Sequence, residues 1–98
     1  MDIRFEWDRA KAEANVRKHG VSFEAATLAF ADPFAIQEMD RIEGGEQRWR
    51  TMGMVGPVSL LVVAHTIRDG LDDLETVRII SARRAEPKER RHYEGKTR

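Results

Sequence analysis

Ninety-eight residues, 41% hydrophobic and 35% charged, predict one soluble domain built on a single core under a heavily ionised surface. Seventeen Lys and Arg balance seventeen Asp and Glu, which excludes a chain that holds nucleic acid by bulk charge. With no cysteine, disulfides, thiolate catalysis and cysteine-based zinc sites are excluded, as a reducing cytoplasm allows.

Along the chain, Ile3-Arg4-Phe5-Glu6-Trp7 alternates apolar and polar, the period of a strand with one buried face. Asp8 is placed to cap a helix over 9–18, with Arg17, Lys18 and His19 in its last turn and Gly20 at its end. Ser22 caps a second helix whose buried stripe is Phe23, Ala26 and Phe30, and Asp32-Pro33 stops it. A strand follows from Phe34, then a turn at Glu43-Gly44-Gly45-Glu46 and a strand from Gln47 to Met54. After Gly56-Pro57, Val58 to Arg68 is a strand whose centre, Leu60 to Ala64, is apolar on both faces and belongs in the middle of a sheet. A loop over 69–73 leads to a strand over 75–83, and Pro87 opens a short helix to about Glu94. Helices segregate from strands, so the expected class is α+β with a mostly antiparallel sheet. The N-terminus lacks the apolar core of a signal peptide, and Leu60 to Ala64, the longest apolar run, is too short to span a bilayer. A cytoplasmic protein with no membrane partner is expected.

The neutral total hides a polarised chain. Arg78 to Arg98 holds eight basic and three acidic residues, whereas 71–77 holds three acidic residues and no basic one. Local patches therefore decide any binding to polyanions.

Several segments together resemble a known family. Phe5-Glu6-Trp7-Asp8, Lys11-Ala12, Asn15, the run from Lys18 to Ala25 and Phe30-Ala31-Asp32-Pro33 resemble the N-terminal signature of BrnT toxins. The resemblance continues through Gly45-Glu46-Gln47-Arg48, Leu61-Val62-Val63, Thr66-Ile67-Arg68, the run from Arg78 to Ala85, Glu89-Arg90-Arg91 and Tyr93-Glu94. It implies a RelE-like fold over residues 1–98 and the toxin half of a type II toxin–antitoxin pair. It also implies metal-independent RNA cleavage without a cofactor, and a BrnA-like antitoxin that reaches operator DNA on the toxin's behalf. A homodimer or a heterotetramer with the antitoxin is open.

A metal-free ribonuclease needs a base for the 2′-hydroxyl, cations for the phosphorane and an acid for the departing 5′-oxygen. Arginine suits the middle role because its planar fork meets two phosphate oxygens and stays ionised. Arg48, Arg68 and Arg83 stand at strand ends where folding is expected to gather them into one pocket of positive potential. A hairpin at Gly56-Pro57 brings Arg48 and Arg68 to one end, and Arg83 joins them only if the register shifts. The alternative is that each is a solvated surface charge. Tyr93 and His19 are candidates for moving protons, and Lys11, Lys18, Arg84 and Arg91 for contacting RNA. Tyr93 alternatively packs its ring and wets its hydroxyl, and His19 alternatively complements the helix dipole. His65, inside the apolar strand, reads as a hydrogen-bonded core or interface imidazole, and His92 as solvent-facing. No histidine pair has ligand spacing, so no metal site is expected. Trp7, Trp49, Phe23 and Phe30 read as core fillers, with Trp49 alternatively an interface anchor. A regulatory binder that clasps an antitoxin without cleaving RNA is the rival function, as is nucleic-acid binding without cleavage.

Overall fold

The structure is a computed structural model that describes residues 3–70, 72 and 74–96. Its elements follow the boundary residues closely. Strand β1 spans Ile3–Glu6. Helix α1, Arg9–His19, begins where Asp8 Oδ1 accepts from the amides of Ala10 and Lys11 at 2.8 and 3.2 Å. It ends at Gly20, whose φ of 70° lets its amide return to the Val16 carbonyl at 2.8 Å. Ser22 Oγ accepts from Ala25 N at 3.0 Å to start α2, Phe23–Ala29. The expected stripe ends early, since Phe30 is the C-cap and packs edge-on against Phe5 and His65.

Four strands and a helix complete the chain: β2 Ile36–Glu43, β3 Glu46–Val55, β4 Ser59–Asp69, β5 Glu75–Arg84 and α3 Pro87–Lys96. Of the expected loop over 69–73, Leu71 and Asp73 lie outside the described residues. The sheet order is β1-β5-β4-β3-β2, with β1 parallel to β5 and the other neighbours antiparallel. The continuous apolar run thus occupies the centre of the sheet, because only a central strand has both faces covered.

Pleating sends alternate residues to opposite faces. Leu61, Val63, Val77, Ile79 and Ala82 turn to the face under α1 and α2, where they join Val21, Phe23, Ala26 and Ala29 in the main core. Trp7 meets Phe23 edge-on at 5.9 Å from this core's margin. Asn15, 6% exposed, docks α1 on the sheet: its Nδ2 donates to Val21 O and Ala82 O, and its Oδ1 accepts from Ala82 N. Gly53 lets α2 lie directly on β3, since a Cβ there would stand 2.1 Å from the Ala29 carbonyl oxygen. His65 is fully buried on the same face, its Nε2 2.8 Å from Thr51 Oγ1.

The other face carries a smaller cluster of Met52, Leu60, Val62 and Tyr93, which α3 closes at one end. The rest of that face is open. Two β-bulges bend the sheet beside it. Ala64 pairs with Ser81 but His65 with Ile79, so Ile80 is an extra residue on β5. Met39 pairs with Trp49 but Ile42 with Gln47, so Asp40 and Arg41 together oppose Arg48. An extra residue raises local twist and re-aims its neighbours.

Candidate active site

A cleft of about 340 Å³ lies between the two bulges on the open face, lined by Asp40, Arg41, Arg48, Arg50, Val62, Ala64, Ile80, Ser81 and Arg83. Both bulges contribute to it. Arg48 and Arg50 alternate along β3, and Arg83, opposite Val62 on β4, reaches in from β5. The β5 bulge keeps Ser81 and Arg83 on this face while Ile79 and Val77 return to the core.

Each guanidinium has a carboxylate neighbour. Arg83 forms a two-pronged pair with Glu89 at 2.8 and 2.9 Å. That fork is the main cause of the Glu89 carboxyl being held down at about 2; burial opposes it, and the Glu86 amide and Arg50 reinforce it. The same pairing raises Arg83 above its ordinary value. Glu89 Oε1 also accepts from Glu86 N at 2.8 Å, so the third residue of α3 caps its own helix start while gripping Arg83. Arg48 lies 3.1 Å from Glu43, and Arg50 lies 3.7 Å from Glu38 and 3.8 Å from Glu89. The bare positive pocket expected from the sequence is thus corrected to an ion-pair lattice. One carboxylate engages at most part of a guanidinium's five donors. Accordingly the buried Nε atoms of Arg48 and Arg50 have no hydrogen-bond partner.

Arg50 also borders a second cleft, about 330 Å³, with Met52, Glu86, Lys88, Glu89 and His92. There His92 Nε2 is 3.1 Å from Glu38 Oε2. His92, expected to face solvent, is therefore exposed but oriented by a carboxylate.

The sequence-derived candidates are scattered differently from expectation. Arg48 and Arg83 reach the cleft; Arg68 does not. Its Nη2 lies 3.1 Å from Glu6 Oε2, near the β1 edge, because β4 carries it two residues beyond Thr66 and Glu6 holds it there. Tyr93 is 6% exposed, and its hydroxyl donates to Asp32 Oδ2 at 2.5 Å. Burial first, and then that carboxylate, push the phenol up to about 12, so it clamps α3 to the corner after α2 rather than giving up a proton. Burial raises Asp32 in turn, but the Met54 amide, the Tyr93 hydroxyl and the Phe34 amide outweigh it and leave the carboxyl below its usual range. His19 and Lys18 end α1, and Lys11 lies within it, on the helix-covered side across the sheet from the cleft. Arg84 alternates with Arg83 and pairs with Leu61, so it turns to that side too. Arg91 is exposed on α3 and borders neither cleft. Sequence reasoning missed Arg50, Glu38, Glu89 and His92. A Glu three residues past a helix cap was the available signal for Glu89; nothing local marked the other three.

Among the described residues no group of three His, Asp or Glu side chains converges as metal ligands would, and no helix is long and apolar enough to cross a membrane.

Comparison with known proteins assigns the chain a family and a fold. Residues 7–89 match a family described as the ribonuclease toxin, BrnT, of type II toxin–antitoxin systems. The chain belongs to the BrnT toxin family. It is thus a ribonuclease toxin by family, and membership of a type II system implies an antitoxin partner. The fold is similar to that of the Brucella abortus ribonuclease toxin BrnT, known from a 1.1 Å crystal structure. The two share 18% identity over 88% of this chain and 99% of that one, with a TM-score of 0.58. No curated protein matches the sequence. The α+β order expected from the sequence, one strand and two helices before a mostly antiparallel sheet and a short terminal helix, is the order of this BrnT-family fold.

Proposed function

We propose that this protein is a metal-independent endoribonuclease whose scissile phosphate sits in the cleft between the bulges, against Arg48, Arg50 and Arg83. The observation that carries the reading is the convergence of Arg48 and Arg50 from β3 and Arg83 from β5, with Arg41 of β2 at the same concave site. The forks that carboxylates now occupy in part suit the charge that grows on a pentavalent phosphorane. Exposed ion pairs are worth about 1 kcal/mol or less, so exchanging Glu43 or Glu38 for a phosphate oxygen is inexpensive. In the reaction the 2′-oxygen attacks phosphorus, the bond to the 5′-oxygen breaks, and a proton moves from the 2′-hydroxyl to the departing 5′-oxygen. His92, which borders the adjoining cleft and shares Glu38 with Arg50, is the candidate proton carrier: Glu38 engages Nε2 and leaves Nδ1 for substrate. Glu89 is unsuited as base, because the Arg83 fork keeps it ionised and occupied.

A BrnA-like antitoxin would neutralise the toxin in the cytoplasm and alone contact operator DNA, within a heterotetramer or beside a toxin homodimer. The test is cleavage of single-stranded RNA in EDTA by purified toxin freed of antitoxin. The expected products carry 2′,3′-cyclic phosphate and 5′-hydroxyl ends, and Arg83→Gln strongly reduces them; 5′-phosphate products or an absolute metal requirement would overturn the reading. A second reading, a binder that clasps its antitoxin without cleaving RNA, is favoured by the closed Arg83–Glu89 fork. It predicts complex formation with neither RNA loss nor growth arrest.

A further inference from the structure

The open face continues past the cleft toward the β1 edge, and the cleft residues do not account for what it carries there. Strand pleating puts Val62, Ala64, Thr66 and Arg68 of β4 on this face, with Ser81 and Arg78 of β5 beside them. Glu6, opposite Arg78 on β1, shares it. Arg68 Nη2 and Arg78 Nη1 each donate to the same Glu6 oxygen at 3.1 Å. The acids of these strand ends, Asp69 and Glu75, alternate to the opposite face. Two half-exposed guanidiniums thus share one carboxylate, and each keeps most of its five donors. The adjacent Arg4 is balanced by Asp72 at 3.2 Å. Arg48, next to Trp49, which pairs with His65, stands level with Thr66 and so with Arg78, two strands away at about 9–10 Å by the strand spacing. Arg68 is one step of about 6.6 Å further along β4.

We infer that Arg68 and Arg78, oriented by Glu6, form a second phosphate-binding subsite that holds the RNA backbone flanking the cleaved bond. The ligand's identity rests on the ribonuclease reading; the subsite rests on charge complementarity and on continuity with the cleft. Glu6 is a positioning residue here, fixing two flexible side chains at one spot while cancelling only one of their charges.

The test measures fluorescence anisotropy of the full chain with 2′-O-methyl RNA, which lacks the attacking hydroxyl and stays intact. Wild-type protein binds an octamer more tightly than a dinucleotide. In Arg68→Gln/Arg78→Gln octamer affinity falls on the order of tenfold, and the log–log salt slope flattens by about 1.4, two phosphate contacts' worth. Glu6→Gln retains or tightens octamer binding. Wild-type affinity and slope in the double variant overturn the subsite, as does a wild type with no preference for the octamer. An equal loss in Glu6→Gln, which keeps an acceptor oxygen for both guanidiniums and removes only the negative charge, also overturns it, because the cluster would then serve only to hold β1. Should the double variant fail to fold, Arg68→Gln alone, at an exposed position, carries the same test at half the slope change. Ordinary RNA separates the two ideas. Binding that depends on Arg68 and Arg78 without any cleavage defeats the ribonuclease reading and keeps the subsite; cleavage without that dependence does the reverse.

Discussion

The two faces of the sheet solve opposite problems with neighbouring residues of the same strands. Beneath α1 and α2, side chains such as Phe23, Val63 and Ile79 are almost completely buried, and the polar groups among them are individually satisfied. Across the sheet, one residue away along each strand, arginines stand in a lattice of carboxylates around a cleft. The covered face gains its stability from area removed from water, which is insensitive to direction. The open face gains little from its exposed pairs but fixes where charge points. Stability and chemistry are thereby separated by the pleat, so substitutions on one face are expected to leave the other's property intact.

Phe23→Ala, the largest expected effect, should destabilise by about 3–5 kcal/mol, a large part of the roughly 5–15 kcal/mol of a domain. Urea unfolding measures it, and a loss below 1 kcal/mol would break the assignment of stability to the covered face. On the open face, Arg83→Gln is expected to lower RNA cleavage by about 100- to 1000-fold with a far smaller shift in the urea midpoint. Cleavage that survives within tenfold would remove the cleft from the chemistry.

Acid sharpens the contrast. Burial holds the His65 imidazole neutral, down to about 4 against 6.5 for an ordinary histidine. Between those values the unfolded chain binds a proton that the folded one refuses. Stability is therefore full above about pH 6.5 and declines as pH falls toward 4, by a total on the order of 3 kcal/mol. The Glu89–Arg83 pair adds its own loss lower down, between the ordinary 4.5 of a glutamate and about 2. Urea midpoints from pH 7 to 4 check the upper window: wild type should slope, His65→Gln should flatten, and equal slopes would refute the assignment. Tyr93→Phe is the smallest expected change, about 1.5–3 kcal/mol for a hydrogen bond to a charged acceptor. A fall in cleavage larger than unfolding accounts for would return that hydroxyl to the chemistry.

Most of the fold was legible because its signals are local. Asp8, Gly20, Ser22 and Pro87 act on backbone groups within four residues, and each stands at its expected boundary. The alternation of Arg48, Arg50 and Met52 against Trp49 and Thr51 likewise reads directly as two faces. The cleft was half legible. Arg48 and Arg83 were singled out for their chemistry, but their meeting depends on Ile80, Asp40 and Arg41 being extra residues in two ladders, and no residue type announces a bulge. Arg68 was misplaced for a related reason: the parallel pairing of β1 with β5 brings Glu6 to it across 62 residues of chain, a contact no short-range pattern contains. His19, Lys11 and Lys18 were grouped with the site by charge, although the sheet stands between.

By itself the sequence determined the order of the elements, the central apolar strand, the buried stripes and the family, since each depends on periodicity and capping over a few residues. Only the tertiary structure decided which guanidiniums share a cleft, which carboxylates accompany them, and that Tyr93 is a clamp. Those outcomes depend on register and on contacts between residues distant in the chain, where a one-residue shift moves a side chain to the other face of the sheet.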